Sequence, residues 1–446
     1  MPRAWGNGKV LKIMVTGNEY IFENVDMALK YVQELEQREL ASDPCRQQPA
    51  SIVRLVPGMF SQPFTEGMAQ KAIVPVDSLA YPLSAWFNNA GEDKFVMTRL
   101  QSGRYSLKPN LRHRKFLFRG ESEFHNPCKP NLSRDPRQKR FTKELMKGQE
   151  MMLLMMSHPL VQLLDLGVEL CGELYRFEMN LFGLTQHYYN KTSFLDLTSD
   201  PQVAAFFATA KYDEVTDTYS PMDEKDSKVG VLYYYDLDIN QDFGLRGDGS
   251  KSPLSTIGLQ VFPRSGRQKG FLYDLRPGEN FNEVAQVQAV RFYQHADVSE
   301  RIWRAYHEGK DLFPDDILMG HWRQNNMGRN VVSTRTIVMN QNHNPEMTMA
   351  EVEAEARSLG LEIEDYVPRF TEEELDEYYA AVRNDGYWQD FCGQIHIPGD
   401  KDGQMMTALL RLPSDARYRW AFERNDRHVT EYEKGFVLRE YRECLR

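Results

Sequence analysis

The pattern of apolar and polar residues divides the chain into a strand-rich middle and a helical end. Runs such as FLDLT, VGVLYYYDL, GFLYDL and VQAVRFY are short, rich in β-branched and aromatic residues, and separated by turn residues, which is typical of strands. The stretches 137–156 and 158–184 have the length and apolar spacing of helices, with Pro159 marking a break or a new start. Helices are also predicted over 201–211 and 297–309. The pattern predicts an α+β protein with a mixed, largely antiparallel sheet and packed helices.

Three parts follow from this pattern. Residues 1–109 begin with the strand-like run KVLKIMVT over 9–16 and a helix capped at Asn24 or Asp26, which predicts an N-terminal α/β region. Residues 110–325 hold the predicted sheet, including a loop over 249–270. The stretch 325–345 is rich in Asn and nearly free of periodicity, so it predicts a boundary. Residues 345–446 are acidic and mostly helical, with Thr caps followed by glutamates.

Composition and charge narrow the function classes. The 446 residues are 41% hydrophobic and 26% charged, which suits a folded globular protein, and the net charge of -10 gives no general attraction to nucleic acid. Five widely spaced cysteines without a Cys-x-x-Cys pair indicate neither a disulfide framework nor a zinc site, and no metal is expected. We find no export signal and no run long enough for a membrane span. A cytoplasmic location is expected.

Polar residues interrupt three strand-like runs. In LTQHYYNKTSFLDLTSDP, four polar side chains fall in and beside an apolar strand, where each needs a hydrogen-bond partner or a ligand. The upstream run KFLFRG ends in Arg-Gly, and the downstream strand GFLYDL follows Arg-Gln-Lys. Polar residues at these positions on separate strands predict one composite site. Its candidate residues are Arg119, Gly120, Gln186, His187, Asp196, Thr198, Arg267 and Gln268.

This ordered set resembles the FRG domain, named for an opening aromatic-Arg-Gly motif. The opening matches Arg119 and Gly120, followed by Leu132 and Arg134. The central Gln-His-Tyr motif, with its Asp-x-Thr-x-x-Pro continuation and alanine-rich tail, matches residues 186–207. Later elements resemble residues 264–271 and 312–315, so the likeness spans roughly 110–325.

A weaker resemblance is to the Arg-Ser-Glu type of ADP-ribosyltransferase fold. It implies that Arg119 contacts the pyrophosphate of NAD as substrate and that Thr198 orders this Arg and the ribose. The Glu of that fold is missing, since Gln268 stands near its place, and Asp196 is the first candidate for the carboxylate. The resemblance thus implies catalytic roles for Arg119, Asp196 and Gln268. It also implies that the nucleotide is bound by Gly120, Gln186, His187, Thr198 and Arg267.

Two function classes remain open from the sequence. The first is a protein that binds an NAD-like or other phosphorylated nucleotide, with ADP-ribosyl transfer or NAD glycohydrolysis as its reaction; a bacterial toxin or phage-defence effector is compatible with it. The second is a non-catalytic interaction module in which Arg119 pairs with Glu121, His187 is a core histidine, and Asp200 caps the helix that starts at Pro201. In either class the C-terminal region is expected to contact a protein acceptor or regulator.

Overall fold

A computed structural model describes most of the chain. The described residues are 20–42, 52–54, 73–75, 88–100, 102–134, 139–188, 191–213, 218–223, 225, 229–238, 242, 252–276, 278–384 and 386–424. The strand predicted over 9–16 lies outside these ranges.

The strands and helices are labelled in chain order. The strands are β1 (Ile21–Phe22), β2 (Ile52–Arg54), β3 (Ile73–Pro75), β4 (Phe95–Arg99), β5 (Tyr105–Pro109), β6 (Phe116–Glu121), β7 (Val168–Leu170), β8 (Glu173–Tyr175), β9 (Phe194–Thr198), β10 (Ala210–Asp213), β11 (Thr218–Pro221), β12 (Val229–Asp236), β13 (Leu254–Thr256), β14 (Gly270–Asp274), β15 (Val287–Tyr293), β16 (Val331–Ser333), β17 (Glu362–Glu364) and β18 (Ile395–His396). The helices are α1 (Val25–Ser42), α2 (Lys139–Met156), α3 (Pro159–Leu166), α4 (Leu181–Gln186), α5 (Pro201–Thr209), α6 (Pro263–Arg267), α7 (Ala296–Ala305), α8 (Ile317–Asn325), α9 (Thr334–His343), α10 (Met349–Ser358), α11 (Glu372–Asn384), α12 (Tyr387–Gly393) and α13 (Gln404–Leu410).

A seven-stranded sheet lies at the centre, in the order β1-β15-β12-β6-β9-β14-β13. Strands β1 and β15 are parallel, and the other neighbouring pairs of this sheet are antiparallel. The predicted α+β class with a mixed, largely antiparallel sheet is therefore confirmed. The middle of the sheet consists of β12, β6, β9 and β14, which carry or adjoin the predicted site residues.

Alternating side chains of the sheet enter two different cores. On β6, Phe116 and Phe118 pack with α1, α5 and α7, while Leu117 packs on the opposite face with residues of β9, β12 and β14. This is the period of two expected of a strand buried on both faces. The predicted cap also forms: the Asp200 side chain accepts from the backbone N–H of Gln202, and Pro201 is the first residue of α5.

Contacts run between the three predicted parts, whose division stays a prediction. Strand β1 joins the edge of the central sheet, and α1 packs on it. Strand β18, from beyond residue 345, pairs with β4, which precedes residue 110. The methionines of α2 at 146, 151, 155 and 156 are buried in the core. The predicted Thr caps of α10 and α11 are confirmed, because Thr348 and Thr371 accept from Glu351 and Glu374 backbone N–H groups.

Two predicted segments were wrong. Helix α3 ends at Leu166, and the rest of the stretch predicted as one helix contains the hairpin β7-β8 and the short α4. Gly167 and Gly172 adopt φ of 100° and 87°, which helical residues do not, so they end the helix and turn the hairpin. The predicted loop over 249–270 contains β13 and α6, and α6 begins at Pro263.

The Asn-rich stretch predicted as a boundary is also folded, because it contains β16 and α9. Its inward face is partly polar, which hides the helical period: Asn340 is buried and donates to Gln149 Oε1 over 3.2 Å. Glu150 of α2 is buried as well and accepts hydrogen bonds from Ser333 and Thr336. Apolar spacing alone did not find this helix because two of its four buried residues are polar.

His158 gives the protein a predicted dependence of stability on pH. Its side chain is buried, its Nδ1 accepts from the backbone N–H of Leu160 at the start of α3, and burial lowers its pKa from 6.5 to about 3. Below pH 6.5 the unfolded chain takes up a proton here that the folded chain does not. We therefore expect this residue to lower the free energy of unfolding by about 1.4 kcal/mol per pH unit as pH falls from 6 toward 4.

The matched control is His158→Asn, whose amide oxygen can still accept from Leu160 but does not titrate. Urea unfolding of both proteins from pH 7 to pH 4.5 measures the difference. The native chain should lose stability more steeply with acid than the variant does. Parallel curves would show that folding does not lower the pKa of His158.

Candidate functional site

Strand β6 brings Arg119 and Gly120 to the middle of the sheet, directly beneath α5. A Cβ atom built on Gly120 would lie 1.8 Å from the carbonyl oxygen of Ala204 and 2.7 Å from the backbone nitrogen of Ala208. No side chain fits at that distance. The Arg-Gly pair and the alanine-rich helix are therefore parts of one contact, in which glycine lets α5 approach the strand.

Arg119 is bound by the protein itself. Its Nη2 lies 2.7 Å and its Nε 3.0 Å from Glu121 Oε1, and its Nη1 donates to the Asp196 carbonyl oxygen over 2.9 Å. Burial alone would lower the pKa of Arg119, but the Glu121 carboxylate raises it above its ordinary value. The guanidinium is thus charged, and it joins β6 to β9. The pairing of Arg119 with Glu121, one of the two interpretations left open by the sequence, is observed.

Strand β9 carries Asp196, whose carboxylate has two different environments. Oδ2 accepts a short hydrogen bond from Nε2 of Gln186 at the end of α4, and Gln186 in turn accepts from Thr192. Oδ1 is buried and has no hydrogen-bond partner among the described residues. Gln186 therefore fixes the carboxylate while one of its oxygens stays unsatisfied.

Thr198 and Gln268 join β9 to the turn before β14. The Thr198 hydroxyl donates to the Gln268 carbonyl over 2.7 Å and accepts from the backbone N–H of Asp200 over 3.0 Å. The Gln268 side chain is buried, and its Nε2 donates to the carbonyl oxygen of Leu312 over 3.1 Å. These bonds fix both the turn and the orientation of the Gln268 amide.

His187 follows α4 and is oriented by Gln268. Its side chain is 3% exposed, and Nδ1 lies 2.9 Å from Gln268 Oε1. Nε2 lies 3.6 Å from Asp196 Oδ1 and has no hydrogen-bond partner in the described structure. Burial lowers the pKa of His187 more than the nearby carboxylate raises it, so the neutral imidazole is favoured. Gly270 leaves room for the ring, since a Cβ there would lie 3.4 Å from Cε1.

These residues surround one cavity of about 170 Å³. Six of the predicted residues line it: Arg119, Gly120, His187, Asp196, Thr198 and Gln268. Gln186 contacts the cavity wall through Asp196, and Arg267 is exposed at the end of α6, outside the lining. Residues from β6, α4, β9 and the α6–β14 turn thus meet at one place. What each of them does for a ligand stays a prediction.

Several lining residues were absent from the predicted site. Val203, Ala204 and Phe207 of α5 form an apolar wall, and Tyr219 of β11 adds a further aromatic side chain. The alanine-rich start of α5 was a usable signal, because a helix of small residues after a polar strand end packs closely on it. Nothing in the sequence pattern around Tyr219 distinguished it from the other aromatic residues of the chain.

The comparison with protein families decides the identity of this region. Residues 114–217 match the family of the FRG domain. The chain contains an FRG domain at these residues. The matched residues run from just before β6 to just past β10 and include Arg119, His187 and Asp196, whereas the Gln268 turn lies beyond them. No curated protein and no solved structure matches the chain.

The described ranges were also searched for metal sites and membrane spans. Within them, no group of three or more His, Cys, Asp or Glu side chains is placed to hold a metal ion. Of the helices in the described part of the chain, none is both long enough and apolar enough to cross a bilayer.

Proposed function

We propose that the FRG domain binds an NAD-like nucleotide in the 170 Å³ cavity and that the ribose occupies it. What supports this is the convergence of Arg119, His187, Asp196 and Gln268 from separate elements on one small cavity. A cavity of this size holds one ring rather than a whole dinucleotide, since drug-sized ligands usually occupy about 300 Å³ or more. The rest of the nucleotide extends outward.

The charges at the cavity favour the sugar over the phosphates. Arg119 is already paired with Glu121, so its positive charge is largely cancelled, and Asp196 adds a carboxylate. Phosphate next to these groups would be repelled by Asp196 and would compete with Glu121 for the guanidinium. Hydroxyl groups, in contrast, can donate to the carboxylate. We therefore place the pyrophosphate farther from Asp196 than the ribose.

The same arrangement supports a reaction of the ADP-ribosyltransferase or NAD glycohydrolase type, on an ADP-ribosyltransferase-like sheet. In the hydrolytic form, the bond between ribose and nicotinamide breaks with its electron pair leaving on nicotinamide, and water supplies the new oxygen and releases a proton. Asp196 is the carboxylate that would stabilise the positive charge developing on the ribose. A toxin or phage-defence role in a bacterium is compatible with this chemistry.

Asp196→Ala tests the binding proposal. We expect it to weaken the binding of NAD and of ADP-ribose at least tenfold. A tenfold loss of affinity corresponds to about 1.4 kcal/mol, which one charge-assisted hydrogen bond can contribute. Isothermal titration measures both ligands, and nicotinamide release from NAD is assayed in the same proteins. Asp274→Ala is the matched control, since Asp274 is an exposed carboxylate on the adjacent strand β14 and does not line the cavity. If the native chain binds neither ligand, the proposal fails.

A second candidate is supported by the contacts that satisfy several of these residues internally. Arg119, Thr198 and Gln268 all have partners within the protein and join neighbouring strands. This fits a non-catalytic interaction module in which the polar set stabilises the sheet and the C-terminal region contacts a protein. It does not explain why His187 Nε2 and Asp196 Oδ1 are buried without hydrogen-bond partners. Folded protein that binds no nucleotide, with native stability lost in Arg119 variants, would favour this candidate.

A further inference from the structure

His187 and Asp196 present two hydrogen-bond acceptors to each other inside the protein. The Gln268 amide decides this, because its Nε2 donates to a backbone carbonyl, Leu312 O, which cannot donate in return. Its Oε1 therefore faces His187 Nδ1 as an acceptor, so Nδ1 carries the hydrogen. In the neutral ring, Nε2 is then a lone pair that faces the carboxylate oxygen Oδ1 at 3.6 Å.

This pairing is unfavourable in the protein without a ligand. Both atoms are shielded from solvent and neither has a partner among the described residues, whereas buried polar atoms are nearly always hydrogen-bonded. At a separation of 3.6 Å the two atoms are not hydrogen-bonded to each other. An arrangement that costs stability and lies at the wall of a cavity is typical of a functional site.

We propose that this acceptor pair binds a ligand group with two adjacent hydrogen-bond donors. Vicinal hydroxyls of ribose and the carboxamide of nicotinamide both have this chemistry, because each supplies two hydrogens side by side. Gln186 holds the Asp196 carboxylate and Gln268 holds His187, so both acceptors are in place before the group enters. The inference rests on the proposed function, and it makes His187 and Asp196 the residues that select the ligand, with Gln268 as a positioning residue.

Asp196→Asn separates this inference from a purely structural role. An Asn amide can donate to His187 Nε2 while its oxygen still accepts from Gln186. The variant therefore replaces two facing acceptors with a donor and an acceptor. We expect its thermal midpoint to rise by about 2 °C, the shift of one added hydrogen bond in a large domain. We expect its affinity for NAD to fall at least tenfold, because one acceptor has become a donor. Asp274→Asn, on the neighbouring strand, should change neither quantity.

Nitrogen NMR of the His187 ring tests the tautomer in the native protein. At neutral pH we expect a protonated Nδ1 and an unprotonated Nε2, with the Nε2 signal shifting when NAD is added. Gln268→Leu should abolish the preference for this tautomer and weaken the binding of NAD. An Nε2–H tautomer or a charged ring in the native protein would overturn the inference.

Ligand comparison identifies the donor pair. ADP-ribose carries the ribose hydroxyls without nicotinamide, and nicotinamide alone carries the carboxamide without ribose. If either perturbs the Nε2 signal and loses at least tenfold affinity in Asp196→Asn, the inference is supported and the group is identified. If the native chain binds NAD and Asp196→Asn binds it equally well, the inference fails while the proposed function stands. If the native chain binds none of them, the proposed function fails.

Discussion

Gly120→Ala is expected to destabilise the FRG domain by about 3 kcal/mol or more, at the upper end of what overpacking costs. The new methyl group would lie 1.8 Å from the Ala204 carbonyl oxygen, and the atoms it meets are backbone atoms of α5, which cannot turn aside as a side chain can. Strand β6 and α5 must separate, and Arg119 moves with them. Chemical denaturation of the variant measures this loss.

Gly320→Ala is the matched control for that substitution. Gly320 lies in α8, and a Cβ there meets no atom within 4 Å. Alanine favours helix by up to about 1 kcal/mol over glycine, so this variant should be as stable as the native chain or slightly more so. Equal effects of the two substitutions would mean that β6 and α5 are not in close contact.

Arg119→Met is expected to cost about 3 kcal/mol in the free energy of unfolding, because it leaves the Glu121 carboxylate buried without its main partner. Glu121 is 8% exposed, and its other cationic neighbour, Arg134, is 3.7 Å from the same oxygen. Arg119→Met also removes the donor to the Asp196 carbonyl and so loosens β9 from β6. Urea unfolding of the variant measures the cost.

The double variant Arg119→Met, Glu121→Gln shows how much of that cost comes from the uncompensated charge. We expect it to recover about half of the lost stability, since a neutral amide is less costly to bury than a carboxylate. A double variant no more stable than Arg119→Met would place the loss elsewhere. If the recovered double variant also binds NAD as the native chain does, Arg119 supports the sheet and does not hold the nucleotide.

Much of the sheet was predictable because its strands follow simple rules. The strands β9, β12, β14 and β15 were found from short apolar runs between turns, and α5 from its cap and first proline. The errors came where burial is polar or the chain turns sharply. Asn340 and Glu150 are buried through hydrogen bonds, and Gly167 and Gly172 end a helix that apolar spacing would continue.

The candidate site was predictable in its members but not in its internal contacts. Polar residues in or beside neighbouring strands lie close together when those strands pair, so Arg119, Asp196 and Gln268 could be grouped from the sequence. The sequence could not show that Gln268 fixes the His187 tautomer through the carbonyl of Leu312, 44 residues away along the chain. The mismatch between His187 and Asp196 depends on that one bond.

The most direct test of a nucleotide site in this cavity is a crystal structure of the native chain with ADP-ribose. The proposed function predicts a ribose in the cavity bounded by Arg119, Thr198 and Gln268, with hydroxyl oxygens within about 3 Å of His187 Nε2 and Asp196 Oδ1. The pyrophosphate should lie outside it. ADP-ribose bound elsewhere on the protein, with the cavity unchanged and the two acceptors still facing each other, would contradict it.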